Sequence, residues 1–258
     1  MLLTIDVGNT DTKLGCFDTG AELIAHWRVT TARRRTADEY GVLFHAFFSD
    51  LNLVPEGVEA IVVASVVPQI DRMLFEALRT YFKRTPIAFT AAVQTLLTIK
   101  TDRPLELGAD LAAGAIAGYA LARGAAIVIN FGTATTFSAI DANGAFLGAA
   151  IAPGINLSID ALATQTAKLP QIALAAPPSP IGRDTVTALQ AGIMYGTVGQ
   201  IEGIVARMRA VIGPASVIAT GGLAEIVAKE TAVIERVEPY LVLLGLQRFY
   251  AAYRAGFA

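Results

Sequence analysis

Short apolar runs that end in glycine-bearing polar turns alternate along this chain with amphipathic stretches at helical spacing. Leu2 to Asp6 is such a run and stops at Val7-Gly8-Asn9-Thr10. Lys13 to Phe17 and Glu22 to Thr30, around Asp18-Thr-Gly20, predict two further strands of a β-meander. Thr36 followed by Glu39 has capping-box spacing and opens a helical pattern carrying Tyr40, Leu43, Phe44 and Phe47. Ala60 to Val67 then reads as a buried strand, Pro68 to Phe82 as a helix and Ile87 to Phe89 as a short strand. Alternation of this kind predicts an α/β domain.

The second half repeats the opening theme. Ala125 to Ile129 ends at Asn130-Phe-Gly132-Thr133-Ala134-Thr135, and Thr136 to Ile140 and Ala145 to Ile151 flank the hairpin signal Asp141-Ala-Asn143-Gly144. A helical stretch from Ile155, a long helix from about Asp184 to Arg209, a strand Ser216 to Ala219 and a final helix from about Leu241 follow. Asp6 and Asn130 lie 124 residues apart, and each precedes a glycine, a threonine, a strand and a hairpin. Asp18 comes 12 residues after Asp6, and Asp141 comes 11 after Asn130. The same order occurring twice predicts duplication of one unit, with domains 1–109 and 110–258 and the last helix free to pack back on the first.

Composition narrows the class of protein. The 258 residues carry 20 Lys+Arg against 22 Asp+Glu, a formal charge of -2, and 54% are hydrophobic, with a mean hydropathy of +0.54. A disordered tail is excluded, and the charge balance gives no footprint for nucleic acid. The most apolar window, Leu111 to Ile129, is interrupted by Arg123 and Gly124. A bilayer-spanning helix needs roughly 20 predominantly apolar residues in a row, so no membrane segment is expected. Met1-Leu-Leu-Thr-Ile meets Asp6 without a basic leader, which makes the cytoplasm the expected location. Cys16 is the sole cysteine and His26 and His45 the only histidines, which excludes an internal disulfide and a multi-cysteine zinc site. Chemistry is left to carboxylates, hydroxyls and backbone groups.

Three glycine turns at strand ends are candidates for that chemistry. In Asp6-Val-Gly8-Asn9-Thr10 a carboxylate ends a buried strand, glycine lets backbone approach an anion, and amide and hydroxyl donors follow. Asp6 is placed to hold hydrated Mg2+ through water. The same residues also make an ordinary hairpin turn, and sequence leaves that alternative open. Gly132-Thr133-Ala134-Thr135-Thr136 packs three hydroxyls around one glycine, and Ala219-Thr220-Gly221-Gly222-Leu223 offers paired glycines for a flat base or ribose. Neither G-x-x-x-x-G-K-[ST] nor a G-x-G-x-x-G after a strand occurs, which removes the P-loop and dinucleotide-binding folds.

The chain resembles the sugar kinase, actin and heat-shock ATPase superfamily, and within it is similar to the type III pantothenate kinase family over nearly its whole length. The resemblance is carried by Asp6-x-Gly8-Asn9-Thr10, Trp27-Arg28, Thr36-Ala-Asp-Glu39-Tyr40, Ser65-Val-Val-Pro68, Gly108-Ala-Asp110 and Gly132-Thr133-Ala134-Thr135-Thr136. Ile151-Ala-Pro-Gly154, Leu169-Pro170, Gly182-x-x-Thr185, Thr220-Gly-Gly222 and Gly245-Leu246 continue in the family's order. It implies an α/β fold of duplicated ribonuclease H-like domains with a nucleotide cleft between them. It also implies ATP-dependent phosphorylation of pantothenate to 4'-phosphopantothenate, the first step of coenzyme A biosynthesis, by a homodimer whose pantothenate site includes the dimer interface. By motif, Asp6, Val7, Gly8, Asn9, Thr10, Asp11, Thr12 and Lys13 would form the first ATP phosphate segment, with Gly132 and Thr133 in the second and Gly221 and Gly222 beside the nucleoside. Thr101, Gly108, Ala109, Asp110, Leu111 and Thr185 would line the pantothenate site, with Asp110 as catalytic base. Mg2+ would be held at Asp6, and a monovalent cation, K+ or NH4+, would sit near Asn130. On the residues alone, Asp110 is equally readable as the N-cap of a helix Leu111 to Ala122, and Thr185 as a residue of a first helical turn.

The family pattern is broken at a few of these places. Leu111 stands where Arg is usual, Thr101 where Tyr is common, Arg103 for Asn and Arg183 for Lys. Asn130 and Ser138 stand for Asp, which removes charge from the cation site and makes strict potassium dependence doubtful. Arg103 and Arg183 can restore positive charge near the acceptor. Two alternatives therefore stand beside the kinase: a regulatory paralogue that keeps the dimeric fold, and a kinase for a different small alcohol.

Overall fold

The structure, a computed structural model, describes residues 1–256. In the first half, β1 (Leu2–Val7), β2 (Asp11–Phe17) and β3 (Leu23–Thr30) form the meander. Helix α1 (Ala37–Asp50) follows, its capping box closed by Thr36 and Glu39 as the spacing predicts. Strand β4 (Ala60–Ser65), helix α2 (Pro68–Phe82) and β5 (Ile87–Phe89) complete a sheet of order β3-β2-β1-β4-β5. Pro68 opens α2 where its missing N–H leaves no helical bond unmade.

After β6 (Thr98–Ile99) and α3 (Ala109–Ala122), the second half places β7 (Ala126–Phe131), β8 (Ala134–Ile140) and β9 (Ala145–Pro153) as another meander. Helices α4 (Ile155–Gln165) and α5 (Thr185–Ile212), then β10 (Ser216–Gly221), α6 (Ala224–Ala228), β11 (Arg236–Val237) and α7 (Leu241–Arg254) follow. The second sheet has the order β11-β10-β7-β8-β9-β6.

Without β6, this order read from its other edge is third, second, first, fourth, fifth, the same as in the first sheet. The senses agree too. The meander pairs are antiparallel, and β1 with β4 and β7 with β10 are parallel. The duplication expected from sequence is therefore present in strand order and in register. Asp6 and Asn130 are each the residue before the last of the leading strand.

By compactness the chain divides into two units. The first holds Met1–Leu97, Asp102–Ala117 and the described residues from Leu241 on, and the second Thr98–Thr101 and Gly118–Tyr240, so the division is not a single cut. In the first unit, Leu3, Ile5, Val7, Ile61 and Val63 pack with Phe44 and Phe48 of α1 and Leu74 and Leu78 of α2. Because strand side chains alternate, Thr4 and Asp6 point to the other face, which α7 covers along β1, β2 and β4. In the second unit, Ile127, Ile129, Phe137, Val217 and Ala219 pack with Ile159 of α4 and Ile201 and Val205 of α5. That places Asn130, Thr136 and Thr220 on the opposite face of their sheet. Among the described residues no helix is long and apolar enough to cross a membrane.

Candidate functional site

The first candidate turn is built by β1 and β2. Asp6 lies opposite Lys13 across the hairpin and opposite Ala64 of β4, and the residue is 8% exposed. Gly8 closes the turn by donating its N–H to the Asp11 carbonyl at 3.0 Å, while Asn9 and Thr10 are exposed at the tip. A Cβ on Gly8 would lie 3.0 Å from that same carbonyl, so a side chain there would press on the turn. The side chain of Asp11 is engaged by Arg28 of β3, and Thr12 is buried. Burial pushes the Asp6 carboxyl up to about 7; Lys13 opposes the shift and Asp110 adds to it.

Asp110 reaches this position from the first turn of α3, within the same unit. The helix begins at Ala109 and not at Leu111, with the Ala112 N–H bonded to the Gly108 carbonyl at 3.0 Å. Asp110 is therefore not an N-cap. Burial raises its pKa above the usual carboxylate value, outweighing the nearby backbone N–H groups of Leu111 and Asp110, which lower it. Gly108 leaves space for its carboxyl, since a Cβ there would lie 2.8 Å from Asp110 Oδ1. Ala109 is buried and Leu111 half-buried beside it.

The second unit repeats the turn. Gly132 donates to the Ala134 carbonyl at 3.1 Å, and Gly132 and Thr133 are exposed at the tip. Gly154, ahead of α4, packs directly under the Gly132 and Thr133 carbonyls, where any Cβ would collide with both. Asn130 lies between Thr136 of β8 and Thr220 of β10, and the Thr136 hydroxyl is buried without a hydrogen-bond partner. Gly221 takes φ +97° and touches the Phe131 backbone, a conformation and an approach that only glycine allows; Gly222 is exposed beyond it.

Thr101 and Thr185 also belong to the second unit. The Thr101 hydroxyl is buried and unpartnered, whereas Thr185 is the exposed first residue of α5. The capping box there is made by Asp184 and Thr187, so Thr185 itself has no capping duty. Arg103 pairs with Glu106, 3.0 Å away. Two motif residues take roles that motif reading did not give them: Gly154 supports the second turn, and Thr136 carries an orphaned hydroxyl. Only packing reveals the first and only hydrogen-bond accounting the second.

Residues 2–207 match the family described as type III pantothenate kinase. A relative of that name from Myxococcus xanthus is 46% identical over 251 residues, 97% of this chain and 98% of the relative. Another from Moorella thermoacetica is 47% identical over 251 residues, with the same coverage. The chain belongs to the type III pantothenate kinase family. A third member, from a Roseiflexus species, is 46% identical over 256 residues, 99% of this chain and 100% of the relative. Solved structures outside this similarity range share the fold. A protein from Sinorhizobium meliloti described as a 2-dehydro-3-deoxygalactonokinase has a TM-score of 0.60 at 14% identity, covering 99% of this chain and 96% of its own. The activator of the 2-hydroxyisocaproyl-CoA dehydratase from Clostridium difficile has a TM-score of 0.51 at 15% identity, with the same coverage. The fold is that of the sugar kinase and actin-like ATPases.

Mg2+, which kinases of this kind use, can be tested against the donor set. Among the described residues no three His, Cys, Asp or Glu side chains converge, so there is no all-protein cage. A buried carboxylate held near neutrality, with a second acid close enough to raise it, suits a hydrated divalent ion bound through one or two carboxylates and substrate phosphates. The residues fit the ion.

Proposed function

We propose that this chain transfers the terminal phosphoryl group of ATP to the primary hydroxyl of pantothenate, giving 4'-phosphopantothenate and ADP at the entry to coenzyme A biosynthesis. The observation that carries this reading is Asp110, a half-buried carboxylate of raised pKa in the same unit as the Asp6 turn, on a chain with full-length similarity to the family. A carboxylate whose pKa is raised toward neutrality is the better general base for an alcohol. Asp110 takes the hydroxyl proton as the oxygen bonds to phosphorus and the bond to the ADP oxygen breaks. Backbone donors of Gly8 to Lys13 and of Gly132 and Thr133 hold the phosphates, and Gly221 and Gly222 lie against the nucleoside. Thr101, Gly108, Ala109, Leu111 and Thr185 line the acceptor side.

Mg2+, when bound, neutralises charge on the phosphates; Asp6 holds its hydration shell. Asn130 and the unpartnered Thr136 hydroxyl, neighbours across β7 and β8, supply neutral oxygens for a monovalent cation. A cytoplasmic homodimer belongs to the same reading. Gly192, Gly196 and Gly199 of α5 have open space above them, and Ile151, Leu157 and Val186 are exposed in the same unit, a surface suited to a second copy.

A coupled assay with ATP, Mg2+ and pantothenate tests the reading, with the product identified by mass. Turnover is expected; ATP-induced thermal stabilisation without turnover on pantothenate would sink it and select a regulatory paralogue. Leu111, an uncharged side chain at the acceptor carboxylate's expected position, favours as second reading a kinase for another small alcohol. Turnover on such an alcohol alone would select that one.

A further inference from the structure

Four carbonyls at the first turn accept hydrogen bonds from within the protein. Val7 O accepts from the Val66 N–H at 3.1 Å, Asp11 O from the Gly8 N–H at 3.0 Å, and Thr10 O from the Thr31 N–H at 2.8 Å. Gly8 O accepts from the Thr31 hydroxyl at 2.7 Å. Thr31 lies just past β3, 23 residues from Gly8, yet it binds the turn through both its backbone and its side chain. Its hydroxyl also meets that of Thr12 at 2.9 Å. A threonine hydroxyl has one proton, and that of Thr31 is committed to Gly8, so Thr12 is the donor and Thr31 the acceptor between the two. The relay therefore runs from buried Thr12 to Thr31 to the Gly8 carbonyl, each bond polarising the next.

The Gly8–Asn9 peptide, like every other described here, is trans, so its C=O and N–H point in opposite directions. Pulling the Gly8 carbonyl inward onto Thr31 turns the Asn9 N–H outward at the exposed tip. We propose that Thr31 is the positioning residue that aims the Asn9 backbone N–H at a phosphate of ATP. The proposal rests on the phosphoryl-transfer reading above. It gives Thr31 two effects on an incoming anion: it removes a repelling carbonyl from the anion's path and presents a donor there. Neither needs Thr31 to touch the nucleotide.

The test compares the full chain with Thr31→Val, Thr31→Ser and Thr31→Cys, using calorimetric titration with MgATP and kinetics with each substrate varied. Thr31→Val keeps shape and removes the donor. It is expected to raise the Kd and KM for ATP by about tenfold, the scale of one charge-assisted hydrogen bond lost or misaimed. The KM for pantothenate should stay within about twofold, and Thr31→Ser should restore ATP binding. A purely structural threonine would move both KM values together or lower the melting temperature without the split. Should Thr31→Val not fold, Thr31→Ser and Thr31→Cys, alike in shape and unlike in donor strength, carry the comparison, with the Cys variant the weaker ATP binder. Equal ATP affinity in the donor and non-donor variants, or no rescue by Ser, overturns the proposal. A wild-type chain that binds MgATP but does not phosphorylate pantothenate ends the acceptor reading and leaves the titration to decide on Thr31. One that binds no MgATP overturns both.

Discussion

Asp110 raises the proton affinity of Asp6. The effect adds to burial, which is the larger cause, and together they hold the Asp6 carboxyl at about 7 against an ordinary 3.8 despite the opposing charge of Lys13. The folded chain thus favours the protonated form. The contribution of Asp6 to stability is complete below about pH 4 and is lost as pH rises through about 7. Thermal melts of Asp6→Asn should accordingly gain on wild type at about pH 8 and not at about pH 4, and Mg2+ should stabilise wild type more at the higher pH. An Asp6→Asn variant with the same pH dependence as wild type would show that the carboxylate is not strained by burial.

The same pair links base strength to phosphate binding. Asp110→Asn should lower kcat by roughly a hundredfold to ten-thousandfold, the range of general-base removal. ATP affinity should hold or improve, because Asp6 ionises more readily without its neighbour. Calorimetry and turnover measured on one preparation check this. Equal losses in ATP affinity and kcat would instead mean that Asp110 supports the nucleotide turn.

Gly154 carries the second turn on its back, its Cα against the Gly132 and Thr133 carbonyls. Gly154→Ala forces those carbonyls to move, and a displacement near an ångström is enough to cost up to about a hundredfold in rate. The expected result is a raised KM for ATP with pantothenate KM little changed. An unaltered ATP KM would remove Gly132 and Thr133 from the phosphate site.

Leu111 sets the acceptor side. Leu111→Arg places a cation beside Asp110 on the first turn of α3, and the KM for pantothenate, a carboxylate, should fall by about tenfold or more. A KM that does not fall, in a variant that still melts like wild type, would place the acceptor carboxylate elsewhere.

Legibility in the sequence followed how local each signal was. The Thr36 and Glu39 box, Pro68 at the head of α2, and the strands on either side of Asp141-Ala-Asn143-Gly144 are written in neighbouring residues, and the structure has them there. The two-residue strands β6 and β11 exist only because β9 and β10 supply partners, and two residues carry no alternation to read. The alternative of Asp110 as a cap fails because the helix starts one residue before it, at Ala109, a boundary that the sequence does not mark. Of the site, Asp6, Gly8, Gly132 and Gly221 stood out as motif residues. Thr31 did not, since a threonine after a strand is ordinary until its 23-residue reach to Gly8 is known.

The placement of α7 has a consequence for how the chain is made. This helix covers β1, β2 and β4, yet it is synthesised after the whole of the second sheet. The first meander therefore waits, one face bare, while the second sheet is made. A chain released after Tyr240 should leave those three strands open to proteases, while the second sheet, whose segments are all present by then, resists.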